Sequence, residues 1–182
     1  MLAGAPVEIV TLEPWPDLVA PDETGQTFEE NARLKALYYA EATGELTVAE
    51  DSGLSIDALD GAPGVASARL GGVDLSYPGK FVLIDRALRA KGARDSTARF
   101  VCALALVRGG RVLFEARGTV EGRISPEPKG LGGFGYDPIF FYPPYGQTLA
   151  EAGDAKAAVS HRGEAFSRLR RFLENENSEL KT

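Results

Sequence analysis

The chain has 182 residues, 44% of them hydrophobic and 25% charged, which is enough for one compact domain with a substantial core. No apolar run approaches the roughly 20 residues that cross a bilayer. A lone cysteine, Cys102, excludes an internal disulfide and a cysteine-based zinc site. The N-terminus MLAGAPVEIV has neither the basic leader nor the apolar segment of a signal peptide, and the expected location is the cytoplasm. Net charge is −6 with no Lys/Arg-rich block, which argues against a nucleic-acid polymer as partner. A chain of this charge that handles phosphate must gather a few cations, amides or a metal at one place.

In chain order, Val7–Thr11 reads as a strand followed by a turn rich in proline (Pro14, Pro16, Pro21). Thr27-Phe28-Glu29-Glu30 has the form of a capping box, predicting a helix that runs to about Thr43 and stops at Gly44. Leu46–Glu50 is expected as a short strand, Asp51-Ser52-Gly53 as a turn, and Leu54–Ala58 as a second strand. Gly61–Gly72 reads as loop. Pro78–Ala90 reads as a helix with Phe81, Ile84, Ala87 and Leu88 on one face. Phe100–Val107, almost wholly apolar, predicts a central strand, and Arg108-Gly109-Gly110-Arg111 a hairpin into Val112–Gly118. Gly130–Asp137 is a glycine-rich loop leading into a strand over Pro138–Tyr142. Ser160 is placed to cap a last helix with Ala165, Leu169, Phe172 and Leu173 inward, and the polar tail after Asn175 is expected to fray. The pattern implies a single α/β domain over residues 1–182, with a mixed, twisted central sheet flanked by helices and two lobes around a cleft.

Four constellations could carry chemistry. Glu50-Asp51-Ser52-Gly53 puts adjacent carboxylates at a strand end, as a hard cation such as magnesium prefers, although Asp-Ser-Gly alone equally suits a plain turn. Asp22 or Glu23 could add a metal ligand, while Asn31 and Lys35 share one helical face and Lys35 could meet phosphate. The stretch from Gly132 to Pro138 sets glycines beside Phe134 and Tyr136, which suits a flat ligand or an ordinary loop with its aromatics in the core. Lys156 precedes Ser160-His161-Arg162 at a helix start, where free amides and a rigid guanidinium fork attract acceptor atoms.

Taken in order, TGQTFEENARLKA, AEDSGLSIDALDGAPGVASARLGG, GLGGFGYDPIFF and KAAVSHRGEA resemble the inosine triphosphate pyrophosphatase family, over about Val7 to Phe172. The resemblance implies hydrolysis of inosine, deoxyinosine and xanthosine triphosphates to monophosphate and pyrophosphate, with magnesium as cofactor and a homodimer as assembly. It implies Asp51 as the catalytic carboxylate and magnesium contact, with Ser52 touching substrate. Asp22 would stand where the family carries a metal-binding glutamate. Lys35 would face phosphate, Phe134, Gly135, Tyr136 and Asp137 would form the base-and-ribose loop, and Lys156, His161 and Arg162 would recognise the base. The family's N-terminal strand and its Thr/Ser-x-Asn-x-x-Lys phosphate loop have no counterpart before Thr24, so an N-terminally shortened relative is expected. That leaves a non-catalytic purine-nucleotide binder as the alternative from another class, and a sugar-phosphate phosphatase as a generic one.

Overall fold

The first helix forms where its capping signals put it. In the computed structural model, which describes residue 2 and residues 4–175, α1 spans Phe28–Thr43. Thr27 Oγ1 accepts the Glu30 amide at 3.1 Å and Glu30 Oε2 accepts the Thr27 amide at 3.3 Å, closing the box. Phe28, Ala32, Ala36 and Ala40 make the buried stripe, with Asn31 as its polar member.

The next strand, β1, is continuous over Thr47–Ile56, where two short strands and a turn were expected. Gly53 serves close approach here. A Cβ on it would lie 2.4 Å from Ser67 Oγ and 2.8 Å from the Gly64 carbonyl oxygen. Ser67 Oγ accepts the Leu54 amide at 2.9 Å and donates to the Gly64 carbonyl at 2.6 Å, fastening a 3-10 turn at Gly64–Arg69 to the strand. Because β1 does not break, consecutive side chains point to opposite faces. Glu50 and Asp51 therefore diverge, which corrects the expectation that they grip one cation together.

Helix α2 spans Tyr77–Ala90, with Ile84 and Leu88 buried as predicted. Strand β2 covers Thr97–Arg108 and is buried throughout Phe100–Val107. It turns through Gly109 (φ 53°) and Gly110 (φ 75°) into β3, Arg111–Ile124; two central residues at positive φ are what a type I′ hairpin needs. Strand β4 is shorter than expected, Phe140–Tyr142, because Asp137–Ile139 winds into a 3-10 turn. There the Ile139 amide donates to the Tyr136 carbonyl at 3.0 Å and Pro138 has no amide to give a ladder. Strand β5 is Gln147–Thr148, and α3 is His161–Asn175, starting directly after Ser160. The expected fraying after Asn175 lies outside the described residues.

The five strands form one sheet in the order β1-β2-β3-β4-β5. The β3–β4 and β4–β5 pairings are antiparallel, with Arg123 opposite Phe141 and Phe141 opposite Thr148. The strand expected at Val7–Thr11 does not form: the segment is irregular, with Ile9 59% and Val10 56% exposed. Strand-like composition is not enough without a ladder, and β1, the end strand nearest in sequence, takes β2 as its neighbour.

The chain divides into two compact units. One comprises the residues up to Asp51, Cys102–Gly118 and the chain from Arg162 on. Its core sets Cys102, Leu104 and Leu106 against Ala165, Leu169 and Leu173, with Phe114 and Phe172 stacked at 4.6 Å beside them. The other comprises Ser52–Val101 and Thr119–His161, and its core includes Leu54, Ile56, Ile84, Leu88, Ile139 and Leu149 around the Phe100–Phe140 stack at 4.3 Å. Among the described residues no helix is long and apolar enough to cross a membrane.

Candidate active site

In the first unit, α1 and β1 bring Lys35 and Asp51 together. Lys35 Nζ lies 3.0 Å from Asp51 Oδ1 and 2.6 Å from Glu23 Oε1. Asn31, fully buried one turn before Lys35, donates its Nδ2 to Asp51 Oδ2 at 3.3 Å and accepts the Gly25 amide at 2.7 Å. Both Asp51 oxygens are thus held by α1, and Asp51 itself is 8% exposed. Burial pushes its carboxyl above the ordinary range; the Lys35 hydrogen bond and charge pull the other way, and the Glu23 charge pushes up again. Burial disfavours the Lys35 ammonium, yet its bonds to Glu23 and Asp51 leave its pKa raised. Glu23 is the acidic-loop residue that reaches Lys35, whereas its neighbour Asp22 is exposed.

On the opposite face of β1, Glu50 meets α3. Arg162 Nη2 and Nε lie 2.7 and 3.1 Å from Glu50 Oε1, and the Cys102 thiol sits 3.2 Å from Glu50 Oε2. Burial, with the Glu50 charge next, drives the Cys102 pKa far up, so the thiol keeps its proton and donates it toward the carboxylate.

The second unit assembles the loop residues. Asp137, 2% exposed, accepts the Phe134 amide at 2.6 Å and pairs with the Lys156 ammonium. Lys156 Nζ also stands 4.1 Å from the centroid of the Phe134 ring, which is 64% exposed. Tyr136 is buried: its hydroxyl donates to the Ser67 carbonyl at 2.7 Å and its ring meets Tyr77 edge-on at 5.2 Å. Gly135 and Ser52 are half-buried. His161 stacks on Phe100 at 5.2 Å. The structure thus joins Lys35 with Asp51, and Phe134 with Asp137 and Lys156, while Tyr136 meets the rings of Tyr77 and Phe81 and His161 stacks on the buried Phe100. Sequence reasoning did not assign Glu50 as the partner of Arg162; β1 alternation beside a helix-start arginine is the signal that could have found it.

A magnesium ion takes one or two protein carboxylates and completes its shell with water and substrate phosphates. Among the described residues no group of three or more His, Cys, Asp or Glu side chains is placed to hold a metal alone. Asp51 and Glu23, two oxygen donors sharing one ammonium, fit the sparser requirement.

Two solved structures share the fold: a HAM1 protein from Coxiella burnetii, with TM-score 0.83 at 40% identity over 87% of this chain and 82% of that one, and the Staphylococcus aureus Ham1 protein, with TM-score 0.83 at 38% identity over 91% and 85%. The profile of the Ham1 family matches residues 1–172, and the chain belongs to that family. It is 48% identical over 170 residues to the dITP/XTP pyrophosphatase of Exiguobacterium sp. strain AT1b, covering 93% of this chain and 86% of that protein. It is 52% identical over 152 residues to the dITP/XTP pyrophosphatase of Gloeobacter violaceus, covering 82% and 75%.

Proposed function

We propose that this chain hydrolyses deaminated purine nucleoside triphosphates, dITP, ITP and XTP, to the monophosphate and pyrophosphate, removing them from the nucleotide pool. The observation that carries the catalytic assignment is Asp51, a nearly buried carboxylate with each oxygen held by α1 and with a raised pKa. Hydrolysis between the α- and β-phosphates needs an oriented, activated water and a neutralised leaving group. Asp51 orients that water and accepts its proton, which its raised pKa favours over an ordinary aspartate. Lys35 faces the phosphates, exchanging a carboxylate partner for a phosphoryl oxygen. Asp51 with Glu23 or Asp22 would hold magnesium, which would supply charge neutralisation to the leaving pyrophosphate.

Base recognition falls to residues other than the Lys35–Asp51 pair. Phe134 supplies the exposed ring for a purine face, backed by Lys156, while Asp137 keeps both in place. Gly135 and Tyr136 shape the loop, Ser52 touches substrate beside Asp51, and Lys156, His161 and Arg162 supply donors. Inosine and xanthine present a carbonyl at the purine 6-position and adenine an amino group. Donors aimed there would be left unpaired by adenine, and that mismatch sets the preference. The enzyme is cytoplasmic, and it works as a homodimer, whose mass light scattering checks.

The test is pyrophosphate release from XTP with and without magnesium. Asp51→Asn is expected to lower kcat by roughly 10²–10⁴-fold, the range for a lost general base, and chelation to abolish turnover. Undiminished turnover by Asp51→Asn would sink the assignment.

A further inference from the structure

The pairing of Arg162 with Glu50 is not explained by the phosphate chemistry, and it lies on the face of β1 that Asp51 does not use. Both oxygens of Glu50 are engaged. Oε1 takes the Nε and Nη2 edge of Arg162 at 3.1 and 2.7 Å, and Oε2 faces the Cys102 thiol at 3.2 Å. Cys102 is fully buried in β2, Glu50 and Arg162 are about a quarter to a third exposed, and all three belong to the same unit. A guanidinium is planar, so two of its nitrogens fixed on one oxygen set the plane in which its other donors point. A carboxylate at a strand position would itself swing about its terminal torsion, which is broad and soft. The thiol on its second oxygen removes that freedom. The path from the sheet interior to the start of α3 is therefore a chain of three side chains, Cys102 to Glu50 to Arg162.

We infer that Glu50 and Cys102 are positioning residues for purine selectivity: Glu50 aims the Arg162 guanidinium, and the Cys102 thiol aims Glu50. This rests on the reading of Arg162 as a base-recognition residue. Neither residue touches the reacting phosphates. Their loss therefore moves KM and the preference for a 6-oxo over a 6-amino purine, and leaves kcat for the 6-oxo substrate nearly alone.

The experiment measures kcat and KM for XTP and ATP with the wild type, Glu50→Gln, Cys102→Ala, Cys102→Ser and Arg162→Ala, alongside thermal unfolding of each. Glu50→Gln is expected to raise KM for XTP and cut the XTP-to-ATP ratio of kcat/KM about tenfold, the weight of one charge-assisted hydrogen bond. Cys102→Ala moves the ratio the same way by about two- to threefold. Cys102→Ser, which keeps a donor, restores it toward the wild type. Should Arg162→Ala abolish selectivity while Glu50→Gln keeps it, the positioning role is overturned and the base-recognition reading stands. Should Arg162→Ala keep selectivity, that reading fails and the inference with it. A fall in kcat at unchanged KM in Glu50→Gln also overturns it, since it would put Glu50 in the phosphate step. If Glu50→Gln unfolds, the Cys102 pair decides: equal ratios for Ala and Ser overturn the role of the thiol donor.

Discussion

At the scale of single residues, Asp51 and Lys35 tune each other in opposite senses. Asp51 must be ionised to accept a proton, so kcat/KM falls as pH drops through its pKa. Burial holds that pKa above the usual 3.8, and the acid limb of the pH profile is expected correspondingly higher than for an ordinary aspartate. The Lys35 hydrogen bond and charge pull it down. Lys35→Met removes that pull, leaving burial and Glu23 opposed only by the Asn31 hydrogen bond. The acid limb then moves to higher pH, whatever the variant loses in absolute rate. A limb that stays put or moves down would show that another group titrates there. Lys35 and Asp51 were both legible in the sequence through the ordered motifs around them. That Glu23 rather than Asp22 reaches Lys35 was not, because adjacent carboxylates in an irregular segment have no periodicity to say which one turns inward.

At the scale of elements, signals closed within a few residues were read correctly. Thr27 and Glu30 satisfy each other across one turn, and Gly109-Gly110 fixes a two-residue hairpin by backbone conformation alone. Asp51-Ser52-Gly53 was misread as a turn because the reason for its glycine is not local. Gly53 is small so that Ser67, on a separate 3-10 turn, can reach the strand. Adding a methyl there forces Ser67 and Gly64 away from β1. Gly53→Ala is expected to destabilise the protein by about 2 kcal/mol, within the range for overpacking a tight contact, and denaturant unfolding measures it. A change of only a few tenths of a kcal/mol would mean that the 3-10 turn shifts freely. The start of β4 was misplaced for a similar reason: Asp137 commits to a turn whose charged partner, Lys156, lies 19 positions further on. The Arg162–Glu50 pair spans 112 positions, beyond any local pattern.

At the scale of the whole molecule, the sequence conveyed an α/β chain whose strand Phe100–Val107 is buried, because uninterrupted apolar character needs no partner to be recognised. It did not convey how the chain is shared between two units, since β1, β2 and β3 each pass from one to the other. That division orders events at the ribosome. The unit containing Asp51 draws its last stretch from Arg162 onward, whereas the other is complete at His161. At about 5–20 residues per second, α1 waits roughly ten seconds after emerging before α3 is made. The unit that ends at His161 should therefore become resistant to protease first on arrested nascent chains that expose residues up to His161, with α1 still cleavable. Protection of α1 in such chains would mean that this half of the enzyme matures without its final helix.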